Sequence, residues 1–306
     1  LRVATVPTAG QLEDVVMRVL ASGEPIPYNK LGLTERNAQV MEACINQPYG
    51  LILVVGPTGS GKTTTLHSAI ALINTPETKI WTAEDPVEIT QRGLRQVQVH
   101  PKIGFTFAAA LRSFLRADPD VIMVGEMRDQ ETAEIGIEAS LTGHLVFSTL
   151  HTNSAPETIT RLLEMELDPF SFSDAILCIL AQRLARRLCS DCRQEYVPER
   201  KELEEIVMEY GIEHFRKTGI DPATIRLSKA VGCPKCNGTG YKGRLGLHEL
   251  LEGTDAMKTL VKRKSEIEQI RNQAIADGMT TLKQDGILKC FQGLTDLKEV
   301  RRVCIK

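Results

Sequence analysis

Long apolar runs are missing from this chain of 306 residues. None approaches the roughly 20 apolar residues that a membrane-spanning helix needs. Leu1 to Gly10 lack the charged-then-apolar order of a signal peptide, so a cytosolic protein is expected. Aromatic residues are few, at 5% with a single Trp, and neither sign of charge dominates: 37 basic against 39 acidic residues leave a net charge of −2. A groove that tracks nucleic-acid strands needs both stacking rings and an excess of positive charge, so the composition speaks against one. Internal repeats and low-complexity segments are also absent. Apolar content of 42% and charged content of 25% suit a globular protein with a core of useful size.

From residue 51 onward, apolar strands and helical patterns alternate. Strands are expected at Leu51–Val55, Lys79–Thr82, Val121–Val124 and Leu145–Thr149. Helices are expected at Asn29–Gln47, Thr63–Ile73, Phe107–Arg116, Gln130–Leu141 and, as a long one, Phe172–Leu188 with its basic run Arg183, Arg186 and Arg187. Apolar strands separated by helices imply an α/β fold whose parallel sheet is covered on both faces. Such a sheet binds ligands at the carboxyl ends of its strands.

The first of those ends carries Gly56-Pro57-Thr58-Gly59-Ser60-Gly61-Lys62-Thr63, followed by Thr64 as the helix begins. Strand, Gly-rich loop and helix form a P-loop. Glycine lets the backbone wrap closely around phosphates, and N–H groups with the helix N-terminus face the anion. Lys62 is expected to reach the β- and γ-phosphates of ATP, and the Thr63 hydroxyl to bind Mg²⁺. A second strand ends at Gly125-Glu126, placing the Glu126 carboxylate to orient or deprotonate the attacking water, or to hold Mg²⁺ through water. Glu84-Asp85-Pro86-Val87-Glu88 follows a third strand, and Glu84 is taken as a second water- or magnesium-directed group. His144 and His151 bracket the strand 145–149, and one of them is expected to report the γ-phosphate to the rest of the fold.

Of eight cysteines, Cys44, Cys178, Cys290 and Cys304 sit singly in apolar or helical patterns and read as small core residues. The others form two knuckle-like pairs, Cys189-x-x-Cys192 and Cys233-x-x-Cys236, a donor set suited to a closed tetrahedral zinc site of structural type.

Motif by motif and in this order, the chain resembles the secretion ATPase superfamily of the type II secretion and type IV pilus systems. The P-loop matches, as do the acidic box Thr82–Glu88, the segment Arg116–Asp120 through Gly125–Asp129, the histidine box Thr142–His144 through Ser148–Asn153, and Ala181–Leu184. The resemblance implies a RecA-like core acting as a hexameric motor, with ATP, Mg²⁺ and Zn²⁺ as cofactors. It implies a cytoplasmic location beside the inner membrane. The implied partners are a membrane platform protein and the cytoplasmic domain of a membrane-anchored assembly protein, with no nucleic acid. By position, Glu126 resembles the catalytic glutamate, Glu84 the acidic-box glutamate and His151 the γ-phosphate contact. Arg112 and Arg128 resemble arginines near the nucleotide, and Arg2 and Arg18 arginines of a preceding domain that close over the phosphates. A four-cysteine insert followed by Gly238–Arg244 resembles the assembly branch rather than the retraction branch. The alternative from another class is a nucleic-acid translocase on the same core. The expected division is a domain remnant and linker at 1–25, the ATPase core at 26–188, a tetracysteine module at 189–248 and a C-terminal helical region at 249–306 with glycine breaks at 278, 286 and 293.

Overall fold

The computed structural model describes residues 2–18 and 24–304, without the side chains of Arg2 and Arg18. In chain order the elements are β1 (Arg2–Thr8), β2 (Leu12–Arg18), α1 (Glu35–Ile45), β3 (Gly50–Val55), α2 (Lys62–Ile70), β4 (Ile80–Glu84), β5 (Arg95–Gln98), α3 (Phe107–Phe114), β6 (Val121–Val124), α4 (Gln130–Leu141), β7 (Leu145–Leu150), α5 (Ala155–Glu164), α6 (Pro169–Ala175) and β8 (Ile176–Leu188). They continue as β9 (Gln194–Tyr196), α7 (Arg200–Tyr210), α8 (Ile212–Lys217), β10 (Leu227–Lys229), β11 (Tyr241–Glu252), α9 (Asp255–Lys262), α10 (Ile267–Ala276), α11 (Leu282–Phe291) and α12 (Leu297–Val303). Helix starts follow capping chemistry: the side chains of Thr34, Thr106, Asp129, Ser154 and Thr254 each accept a backbone N–H from the first helical turn.

The centre is a seven-stranded sheet in the order β11-β8-β3-β7-β6-β4-β5, parallel except for β11. Alternate residues of β3 serve two cores. Leu51, Leu53 and Val55 face the core filled by Phe107, Ala133, Ile159 and Phe172, while Ile52 and Val54 face the core of Met41, Leu66 and Ile70. With helices on both faces nothing on β3 meets water, which is why the strand reads as an unbroken apolar run. Each fully buried aliphatic side chain here contributes about 1.5–3 kcal/mol relative to exposure.

The expected long helix over Phe172–Leu188 is corrected. Helix α6 ends at Ala175 and the chain then runs as the strand β8. Its Ala, Leu, Gln and Arg residues favour helix intrinsically. Parallel pairing to β3 and antiparallel pairing to β11 overrides that preference, because Ile179 and Ala181 complete one core while Cys178 and Leu180 complete the other. The position of β11 also means that residue 248, drawn as a module boundary, falls within a strand of the central sheet.

Strand β5 and helix α5 were not expected, and the glycine break at 286 is corrected. Gly286 lies inside α11. A Cβ there would stand 2.6 Å from Val300 Cγ1, so the glycine serves the close approach of α12 rather than a helix end. Gly278 and Gly293, with φ of 92° and 67°, do follow helix ends.

Helix α12 is pinned to the sheet by Glu299, whose side chain is fully buried. It accepts from the Arg186 guanidinium at 2.6 Å, the Arg186 backbone N–H at 3.1 Å and the Arg302 guanidinium at 2.7 Å. Burial alone would raise the carboxyl pKa, but the bonds from Arg302 and Arg186 outweigh it and bring it down from 4.5 to about 2. A depressed folded value means that the stabilisation is complete above 4.5 and is lost as pH falls towards 2. With a discount for the half-exposed arginines, the anchor contributes about 2 kcal/mol at neutral pH. Glu299→Gln is therefore expected to remove most of that acid sensitivity, read as the pH dependence of the thermal midpoint between pH 5 and 2. An unchanged slope would show that the anchor does not carry it.

Candidate nucleotide site and cysteine centre

Parallel pairing in register brings the site together. Val55 of β3 lies opposite Leu150 of β7, and Ser148 of β7 opposite Val124 of β6. The P-loop, His151 and Glu126 therefore leave the same sheet edge side by side. The Glu126 loop is stitched down by Met127 N–H donating to Thr149 O at 3.0 Å and by the Thr149 hydroxyl donating to Gly125 O at 2.7 Å.

The P-loop opens at Gly56, where φ is 148° and a Cβ would stand 2.4 Å from the Gln182 carbonyl oxygen; no other residue fits. Lys62 is half-buried at the start of α2, and its Nζ donates to Gly56 O at 2.8 Å and Pro57 O at 3.3 Å. Burial lowers its pKa, with the charge of Glu126 acting in the opposite direction. The loop is locked from β8 by Gln182, which donates to Ser60 O at 2.6 Å and accepts from the Thr65 hydroxyl at 2.8 Å. Gln182 was noted only as part of a matching segment. Its signal in the sequence is a polar residue at the end of the apolar run Ile176–Ala181.

A cavity of about 1070 Å³ opens over this edge and is lined by Thr58, Gly59 and Gly61–Thr65 of the P-loop region, by Glu84, Asp85 and Glu88, and by Glu126, Arg128 and His151. Glu126 sits between two nitrogen groups: Arg128 Nε reaches Oε2 at 2.6 Å and His151 Nε2 lies 3.3 Å from Oε1. Arg128 also approaches Asp85 at 3.8 Å.

Not every expected residue joins them. His144 lies at the opposite, amino edge of β7, where its Nδ1 faces Ala139 O at 3.0 Å, so its grouping with the phosphate site is corrected. Arg112 on α3 is exposed and paired with Glu131 at 2.6 Å, away from the cavity lining. Arg2 and Arg18 occupy paired positions of the β1–β2 hairpin, and their side chains lie outside the described residues. Glu84 reaches the cavity wall but is 3% exposed and already accepts from the Thr82 hydroxyl at 2.7 Å and Gln96 Nε2 at 3.0 Å, with His67 Nε2 at 3.3 Å from its other oxygen. Those three donors take up most of the roughly four acceptor positions of the carboxylate. The carboxylates of Asp85 and Glu88 line the same cavity with less burial.

At the far end of β8 the four cysteines meet. The sulfurs of Cys189, Cys192, Cys233 and Cys236 all lie within 4.8 Å of one another, with Sγ separations of 3.9 Å (189–233), 3.8 Å (192–236) and 3.7 Å (233–236). Four Zn–S bonds near 2.3 Å make a tetrahedron with edges of about 3.8 Å, so the residues fit that metal. Burial alone would push the Cys236 thiol up. Backbone N–H groups of Cys233, at 3.1 Å, and Gly240, at 3.2 Å, outweigh it and draw it down to about 6. A thiol of that kind is a thiolate ligand in waiting.

A mostly parallel sheet, a P-loop entering a helix and an acidic residue on a neighbouring strand end define a P-loop nucleotide-binding protein. The family model described as "Type II/IV secretion system protein" matches residues 1–302, and the chain belongs to that family. It is 45% identical over 304 residues to type II secretion system protein E of Pectobacterium carotovorum subsp. carotovorum, covering 99% of this chain and 58% of that protein. It is 46% identical over 304 residues to the type IV pilus assembly ATPase PilB of Pseudomonas aeruginosa, covering 99% of this chain and 52% of that one. The chain thus spans little more than half the length of these relatives. Among solved structures, the pilus retraction motor PilT with bound ADP aligns at a TM-score of 0.69 with 30% identity, over 97% of this chain and 72% of that one.

Proposed function

We propose that this chain is the ATP-hydrolysing part of a motor that assembles a pilus or pseudopilus, working as a homo-hexamer in the cytoplasm against an inner-membrane platform protein. The observation that carries the hydrolytic reading is Glu126, held by Arg128 and His151 across the same cavity from Lys62. A fixed carboxylate at that place acts on the water that attacks the γ-phosphate. Lys62 and the P-loop N–H groups hold the phosphates, and Thr63 holds Mg²⁺. Arg128 also supplies positive charge beside the transferred group. The assembly direction rests on the protein E and PilB relatives and on the four-cysteine centre, where Zn²⁺ is proposed to sit. Among the described residues no helix is long and apolar enough to cross a membrane, which is consistent with attachment through partners.

The test is phosphate release by the full-length protein. Magnesium-dependent ATP turnover that single-stranded DNA leaves unchanged is the expected result. Strong stimulation by nucleic acid would replace the motor reading with a translocase.

A further inference from the structure

His67 has no place in the chemistry above, yet it is completely buried on the P-loop helix and ionisable. Burying a histidine away from solvent is costly unless its ring nitrogens find partners. Here they do. Nε2 faces Glu84 Oε2 at 3.3 Å and Nδ1 faces Gln91 Oε1 at 3.0 Å. The Gln91 backbone N–H donates to Gln96 Oε1 at 2.8 Å, and Gln96 Nε2 donates to Glu84 Oε1 at 3.0 Å. The four residues therefore close a ring of hydrogen bonds. It joins α2, the end of β4, the loop after it and the edge strand β5.

The ring has a directional consequence. Glu84 accepts at both oxygens, so the histidine must donate at Nε2 for the pair to be favourable. Glu84 is followed by Asp85 and, three residues further on, by Glu88, which line the cavity with Glu126 and Lys62. His67 lies one helical turn beyond Thr63, so the same helix that carries the P-loop hydroxyl also holds the acidic segment. We infer that His67 is a positioning residue. Through Glu84 it fixes the distance between the P-loop helix and the acidic segment across the nucleotide cavity, and it touches neither phosphate nor water itself. This rests on the hydrolytic reading given above.

Two substitutions separate this role from simple packing. A glutamine amide reproduces the reach of Nε2 towards Glu84, whereas an asparagine amide reproduces only Nδ1 towards Gln91. In the full-length protein, His67→Asn is expected to lose roughly 10- to 100-fold in kcat, with KM for ATP within about threefold, because the acidic segment is misplaced rather than the phosphate cradle. His67→Gln is expected to stay within about threefold of the parent. Equal losses in both variants, a loss confined to KM, or full activity of His67→Asn would each overturn the inference. A second measurement is independent of turnover. Nitrogen-15 spectra of the wild-type protein are expected to show a slowly exchanging proton on Nε2 of His67 that is lost in Glu84→Ala. A bare Nε2 would overturn the inference even if ATP is hydrolysed. If that proton is present and the wild-type protein hydrolyses nothing, the hydrolytic reading fails while the hold on Glu84 stands.

Discussion

Glu126→Gln is expected to lower kcat for ATP hydrolysis by roughly 10²- to 10⁴-fold, the range spanned by a positioned general base. Nucleotide affinity should change little. Glutamine keeps the side chain's length and one acceptor oxygen, and the phosphates are held by the P-loop backbone and Lys62 rather than by this carboxylate. The variant loses the charge that faces Arg128 at 2.6 Å and His151 at 3.3 Å, and with it the ability to draw a proton from water. The measurement is single-turnover phosphate release beside equilibrium nucleotide binding, both on the assembled full-length protein. Turnover within about threefold of wild type would remove Glu126 from its role. The work of aligning water would then pass to Asp85 or Glu88, which line the same cavity. Lys62→Ala should give the complementary pattern, with binding lost first, because the cation that meets the phosphates is gone.

The contrast between these residues explains what the sequence discloses. The P-loop, Glu126 and the cysteine pairs are short motifs whose meaning depends on near neighbours in the chain. For the P-loop a strand, a turn of fixed geometry and a helix suffice without further information. The strand β8 behaves differently. Its residues prefer helix, both of its faces are buried, and only its pairing with β3 and β11 decides its state. No local pattern contains that pairing. The inward hydrogen bonds of Gln182, His67 and Glu84 escape a sequence reading for a related reason. Each of the three is a polar residue with partners 12 to 122 positions away, in one case on a strand as unobtrusive as β5. His144 shows the converse error: it is grouped with His151 because the two bracket one strand, while the length of β7 carries it to the other edge of the sheet.

The second large effect concerns the cysteine centre. Metal analysis of the purified protein is expected to find about one Zn²⁺ per chain. Zinc-binding free energy in small finger domains runs to about 10–16 kcal/mol and is coupled directly to folding. Here the coupling should be local. The surrounding module has its own apolar cluster, in which Ile206, Tyr210, Phe215 and Leu227 pack with Ile287 and Val300 of the C-terminal helices. That cluster should hold most of the module together without metal. The two knuckles themselves have no comparable filling: Cys189 follows β8 directly, and its N–H donates to Gly240 O at 2.9 Å, just before β11. A zinc ion held there would therefore clamp the outer ends of the β8–β11 pair. Cys236→Ser is expected to release the zinc, lower the thermal midpoint by about 5 °C or more, and speed amide exchange at Arg186–Leu188 and Tyr241 while leaving β3 protected. A wild-type protein with no bound metal and four freely reactive thiols in its native state would sink the zinc assignment. A variant that lost zinc without any change in exchange at those strand ends would keep the metal but dismiss the clamp. The strand that carries the clamp also carries Gln182, which fastens Ser60 and Thr65 of the nucleotide loop. Loosening one end of β8 should therefore weaken ATP binding only slightly, because Cys178–Ala181, just before Gln182, stay gripped between β3 and β11.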